Sequence, residues 1–114
     1  MSARKNPIAE STPLPKALDE KNRPYLLRLY VAGGTAQSTR AIIDARRLCD
    51  DHLAGKYRLE VVDIYQRPVL ARDEQIIAVP TLVRHYPKPL RRLVGDFSNA
   101  ERILIALDLL VHPT

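Results

Sequence analysis

Residues 25–64 hold two strand-like runs with one helix-length amphipathic stretch between them, and that spacing constrains the fold more than any other feature. In Tyr25 to Val31, Leu27, Leu29 and Val31 alternate with Arg28 and Tyr30, the period of a strand. Gly33-Gly34 breaks the run, and Thr35 is placed to cap a helix that extends to about Leu53. Within it Ala41, Ile42, Ala45, Leu48, Cys49 and Leu53 recur at helical spacing as one apolar stripe. Arg40, Asp44, Arg47 and Asp51 fall on the wet side, with charges three or four apart. Gly55 is a natural stop. Tyr57 to Ile64, with Leu59, Val61, Val62 and Ile64, reads as a second, mostly buried strand. A strand, helix and strand of these lengths form a right-handed crossover unit, so the two strands are expected to be parallel.

Pro68 opens a short helix through about Asp73, and Gln75-Ile76-Ile77-Ala78-Val79 leads to Pro80. Thr81 to Tyr86 and Leu90 to Val94 read as short strands, and Pro87-Lys88-Pro89 forces a reversal that makes them an antiparallel hairpin. Gly95-Asp96 ends the second. Ser98 or Asn99 caps a last helix, expected from about Asn99 to Val111, with Glu101 in its first turn. Pro113 cannot continue it. The order is βαβαββα, an α/β chain in the thioredoxin-like arrangement. Val79-Pro80-Thr81, at the mouth of a short strand, lies where that fold keeps a cis-proline, and a cis bond before proline costs only ~0.5–1 kcal/mol. Enzymes of this fold carry Cys-x-x-Cys at the start of the first helix. Gly33-Gly34-Thr35-Ala36-Gln37-Ser38 occupies that place here, without a thiol. A redox scaffold lacking its chemistry points to a binding protein rather than an enzyme.

Composition agrees with one soluble, globular domain: 114 residues, 46% hydrophobic and 27% charged. Residues 1–24 hold Pro7, Pro13, Pro15 and Pro24 among polar residues and are expected to form a flexible extension, with a short helical turn near Ala17-Leu18. Residues 25–114 form the domain. Arg4 and Lys5 have no apolar segment behind them, so a secretory signal is not expected, and no apolar run approaches the ~20 residues of a membrane span. The single cysteine excludes an internal disulfide. A cytoplasmic location follows. The net charge of +5 favours an acidic protein partner; with one Phe, no Trp and no dense basic block, no nucleic-acid partner is expected.

Ile103 to Val111 is apolar at every position except Asp108, so it suits helical and strand periods alike. The last third of the chain is therefore balanced between two packings. Pro80, Ala106 and Asp108 are the residues expected to decide between them.

Several separated motifs then agree in order and spacing with one family. Leu29-Tyr30-Val31-Ala32-Gly33, Ser38-Thr39-Arg40-Ala41, Val62-Asp63-Ile64, Pro80-Thr81-Leu82, Arg91-Arg92-Leu93-Val94-Gly95-Asp96 and Ile105-Ala106-Leu107-Asp108-Leu109-Leu110 resemble the circadian clock protein family KaiB over about residues 25–111. The resemblance implies a small adaptor that docks on KaiC, a hexameric RecA-like ATPase. It also implies two folds: a ground state, commonly tetrameric, with a rewired C-terminal half, and a thioredoxin-like monomer that binds the ring. Self-association as a dimer or tetramer is thus implied. Ala106 stands where clock-type relatives often carry glycine. Alanine is better in a helix by about 0.8–1 kcal/mol, so the thioredoxin-like state is expected to be favoured here. Glu60 and Gln75 stand where those relatives usually carry lysine, and the reversed charge at Glu60 argues against a KaiA contact. These departures, with the added N-terminal extension, imply a homologue working with a KaiC-like ATPase in circadian timing or a related stress or timing response.

Arg40, Arg84, Arg91 and Arg92 are the candidate partner-binding residues, because positive residues at matching places of the family contact partners and arginine's planar fork pairs carboxylates. Arg91 and Arg92 point to opposite faces of their strand. Cys49 reads as a buried small hydrophobe. Thr35 and Ser38 read as helix-capping hydroxyls. The alternative is a glutathione- or thiol-handling enzyme without Cys-x-x-Cys. A third reading, the sensor domain of a histidine kinase, lacks any kinase sequence after residue 111. His52, His85 and His112 have no ligand-like spacing, and Gly33-Gly34 lacks the lysine of a phosphate loop, so neither a metal, a cofactor nor ATP hydrolysis is expected.

Overall fold

The computed structural model describes residues 23–109. The expected extension up to residue 22, its turn near Ala17-Leu18, and everything from Leu110 onward lie outside the described residues. The elements are β1 (Tyr25–Val31), α1 (Ala36–His52), β2 (Tyr57–Asp63), α2 (Pro68–Asp73), β3 (Thr81–Tyr86), β4 (Arg91–Val94) and α3 (Ala100–Ala106). Their order is the βαβαββα of the sequence reading. The strands form one sheet in the order β2-β1-β3-β4. β1 and β2 are parallel, Leu27 beside Leu59 and Leu29 beside Val61. β3 runs antiparallel to β1, and β4 antiparallel to β3.

Alternation assigns the two faces. Leu27, Leu29 and Val31 of β1 and Leu82 of β3 join Ala41, Ala45, Leu48 and Cys49 of α1 and Ile103 and Leu104 of α3 in one buried cluster. Tyr30, Val62 and Val83, buried as well, fall on the opposite face. That face belongs to α2, which is tied to it by an ion pair between Arg67 and Glu60 and by a 3.0 Å polar contact between Glu74 and His85. Helices thus cover both faces, and the core is continuous from α1 to α3.

The local stops and starts have side-chain causes. The Thr35 hydroxyl caps α1 by accepting from Ser38 N at 3.1 Å. Gly55, at φ +74, turns the chain after α1. Asn99, one of the two caps proposed, accepts from Arg102 N at 3.1 Å and starts α3. The peptides before Pro80, Pro87 and Pro89 are all cis; the first was expected, the other two were not.

The last helix is shorter than expected. It ends at Ala106, not Val111, because Asp108 takes φ +52 and the chain closes a paired stop. Leu109 N donates to Leu104 O at 2.8 Å and Asp108 N to Ile105 O at 3.2 Å. That pattern satisfies the carbonyls a helix leaves open at its end. Leu107 and Leu109 are then buried beyond the helix proper, which explains why an apolar run longer than the helix is needed. Residues 103–109 are helix and turn here, not strand.

Candidate partner-binding surface

The four candidate arginines do not form one patch. Arg91 and Arg92 are exposed on β4, a short edge strand, and present opposite faces. Arg92 donates to Gln75 O at 3.2 Å and so holds the loop after α2, where Gln75 itself has φ +57. No hydrogen bond or ion pair engages the Arg91 side chain among the described residues. Arg40 lies on the exposed side of α1 at the other end of the hairpin. There it lines a cleft of about 220 Å³ with Gln37, Asp44, Pro80, Gly95 and Asp96. Asp96 accepts from Ser98 N at 2.9 Å, and that hydrogen bond, helped by Arg102 and Arg40, holds its carboxyl below the usual range.

Arg84 is placed differently. Its register puts it opposite Leu27 and Arg91, on the face that packs against α1 and α3, and it is 2% exposed. The guanidinium donates to Leu107 O and Asp108 O at 3.0 Å each and to Pro89 O at 2.7 Å. Asp108 Oδ2 lies 3.8 Å away. A buried cation needs such partners, since an unpaired one would be strongly destabilising. Arg84 is therefore a clamp between the hairpin loop and the end of α3, out of reach of a partner surface. The signal was available in the sequence: Arg84 is two residues from Leu82, and on a strand that spacing means the same face.

The α2 face carries a network that sequence reasoning missed. Glu60 accepts from Arg28 Nε at 2.9 Å and lies 3.6 Å from Arg67. His85 Nε2 is 3.0 Å from Glu74 Oε1, and neither atom has another hydrogen-bond partner, so one proton between them satisfies both. Burial pushes the His85 imidazole below its ordinary value although Glu74 pulls the other way. Partners on separate elements, from 7 to 32 residues apart in sequence, give no local pattern for such pairs.

At the place of the missing thiols the hydroxyls already have partners. Ser38 Oγ, buried, accepts from Ala32 N at 3.0 Å and from the Thr35 hydroxyl at 2.8 Å. Asp63 accepts from Gly33 N and Tyr65 N at 3.3 and 2.9 Å, fixing the same corner. Cys49 is fully buried in the last turn of α1, and burial pushes its thiol up to about 12. A thiol held neutral and out of solvent is neither a nucleophile nor a metal ligand. Among the described residues, neither these hydroxyls nor this thiol is an activated group at a cleft.

Comparison with known proteins bears on both fold and family. Among solved structures, the N-terminal domain of SasA from Synechococcus elongatus superposes with a TM-score of 0.64 at 19% identity, covering 99% of this chain and 100% of that one. Mitochondrial thioredoxin 3 from Saccharomyces cerevisiae gives a TM-score of 0.61 at 17% identity over 82% of this chain and 85% of that one. These likenesses establish the thioredoxin-like fold. In sequence, the circadian clock oscillator protein KaiB of Synechococcus sp. (strain RCC307) is 46% identical over 88 residues, 77% of this chain and 80% of that protein. The protein of the same name from Prochlorococcus marinus (strain MIT 9312) is 44% identical over 88 residues, 77% of this chain and 84% of that protein. The family model for the KaiB domain matches residues 28–109, from the first strand through the stop after α3. With that span and those relatives, the chain belongs to the KaiB family.

Proposed function

We propose that this chain is a non-catalytic regulatory protein that docks on a KaiC-like hexameric ATPase and modulates it, in circadian timing or a related stress or timing response. The observation that carries this reading is the family match across residues 28–109, in a chain whose residues 81–109 are packed in the thioredoxin-like way. That packing is the one the family resemblance links to ring binding. The basic groups offered to the partner are Arg91 and Arg92 on β4 and Arg40 on α1; Arg84 supports them from beneath. Pro80, Ala106 and Asp108 hold the packing. The chain also associates with itself, as a dimer or tetramer, when not on the ring. It acts in the cytoplasm, without cofactor, metal, nucleic acid or membrane. Among the described residues no helix is long and apolar enough to cross a membrane.

The test is titration calorimetry against a KaiC-like ATPase, with Arg91→Glu/Arg92→Glu beside the unmodified chain. Well-matched interface charge pairs can contribute ~1.5 kcal/mol or more, so a loss of at least about tenfold in affinity is expected, with unchanged circular dichroism. Undiminished affinity in a folded double variant would refute the assignment of the surface. No binding by the unmodified chain would refute the reading itself.

A further inference from the structure

Arg23 is the first described residue, and its guanidinium stacks over the Tyr86 ring, 4.1 Å from the centroid. That contact fixes where residues 1–22 join the domain. Tyr86 is the last residue of β3, so they join at the hairpin end of the sheet. Tyr25, two residues on, packs against the core under α1 and α3, so they join from that face.

The same end of that face leaves apolar surface uncovered. Leu90 is 43% exposed and Ile105 63%. The two flank one clamp, because the Arg84 guanidinium bonds Pro89 O on one side and Leu107 O on the other. Ile105 and Ala106 floor an open hollow of about 390 Å³, rimmed by Asn99, Glu101 and Arg102. Arg91 stands next to Leu90 and faces the α3 side, since it pairs with Arg84 across the hairpin. Its side chain has no hydrogen bond or ion pair among the described residues. An apolar floor with an unpaired cation at its edge suits an apolar residue followed by acid.

The chain itself contains such a segment, Ala17-Leu18-Asp19-Glu20, shortly before Arg23. The five residues from Leu18 to Arg23 span up to ~17 Å, against ~10 Å for the whole length of α3. Leu18 can therefore reach Ile105 while Arg23 stays on Tyr86. A weak contact suffices, because so short a linker holds the segment at an effective concentration on the order of millimolar.

We propose that residues 17–20 are a built-in occupant of this patch: Leu18 seats on Leu90 and Ile105, and Asp19 and Glu20 pair with Arg91. Docked there, the segment covers one of the arginines offered to the ATPase and competes with it. The docking is a property of the chain alone; the competition rests on the proposed function.

Amide nitrogen–proton correlation NMR on the full chain tests the docking. The variants are Leu18→Asp and the pair Asp19→Lys/Glu20→Lys, all of which precede the first strand. Both are expected to move the amide signals of Leu90, Arg91, Ile105 and Ala106, and to leave those of Val62 and Val83 in place. Unmoved signals at the first four residues would overturn the proposal. Signals that move instead around Tyr65, Val69 and Ile77 would put the segment on the α2 side and overturn it as well. Signals of the four that follow protein concentration but not Leu18 would give the patch to a second copy, with the same consequence. Titration calorimetry tests the competition. A segment docked about two-thirds of the time lowers apparent affinity about threefold, so Leu18→Asp is expected to bind a KaiC-like ATPase about threefold more tightly. Equal affinities would overturn the competition. Binding by neither form would overturn the proposed function, and the NMR result would still decide the docking.

Discussion

His85 is the residue whose chemistry the fold changes most visibly. In the folded chain its imidazole is half-buried on the α2 face, 3.0 Å from Glu74, with Arg28, Glu60 and Arg92 close enough to act on it. Burial dominates and depresses its affinity for a proton below the ordinary value of 6.5. The unfolded chain therefore binds more protons at mildly acidic pH, and stability falls as pH drops below about 6.5 toward the depressed folded value. The expected outcome is a midpoint in urea that declines over that window. His85→Gln, which cannot charge, is expected to flatten the decline; an equally steep loss in that variant would assign it to other groups. None of this was legible from one sequence. His85 has no ligand-like spacing in the sequence, and its partner Glu74 lies at the end of a short helix on another layer. The caps at Thr35 and Asn99, by contrast, were legible, because each accepts from a backbone N–H three residues on; Ser38, expected to be a second capping hydroxyl, instead accepts from Ala32 N six residues back.

At the scale of elements, the sequence located every strand and helix between Tyr25 and Ala106 to within a residue or two at nearly every boundary, since each is short, periodic and bounded by Gly or Pro. The exception is the end of α3. Helical periodicity runs on to Val111, but the stop depends on Asp108 adopting φ +52, a conformation that no apolar pattern reveals. Ala106 is the last helical residue. Ala106→Gly is expected to destabilise the thioredoxin-like packing by up to about 0.8–1 kcal/mol and to slow partner binding. Urea denaturation and stopped-flow mixing with the ATPase measure the two effects, and unchanged values would remove Ala106 from the determinants of the fold. Arg84 is expected to matter more. Arg84→Met leaves buried carbonyls unpaired, at a cost of about 3 kcal/mol, and is expected to accelerate amide exchange at Asp108 and Leu109 before it affects β1. Uniform acceleration across the sheet would mean that Arg84 supports the whole fold rather than the end of α3.

Over the whole molecule, the thioredoxin-like fold carries hydrogen-bonded hydroxyls at the start of its first helix, in the place where the sequence lacks Cys-x-x-Cys. Ser38 and Thr35 bond to each other and to the backbone, and the sole thiol sits in the core. The chain is expected to show no insulin disulfide reduction, and Cys49→Ser is expected to leave partner binding unchanged. Turnover at thioredoxin-like concentrations would restore the enzyme reading. The overall arrangement was readable because the crossover unit, the Val79-Pro80-Thr81 corner and the proline-bracketed hairpin each restrict topology independently. The candidate binding surface was only partly readable. Which arginines face a partner depends on strand register and on what packs above, and one of the four proved to be interior.

That interior arginine joins parts of the chain that are otherwise strangers. Its three carbonyl partners come from the hairpin loop at Pro89 and from the end of α3, so neither segment can shift without loosening the other. A protein pressing on the β4 side of the hairpin would thus be felt at the chain's C-terminal stop, more than fifteen residues downstream, with no contact there.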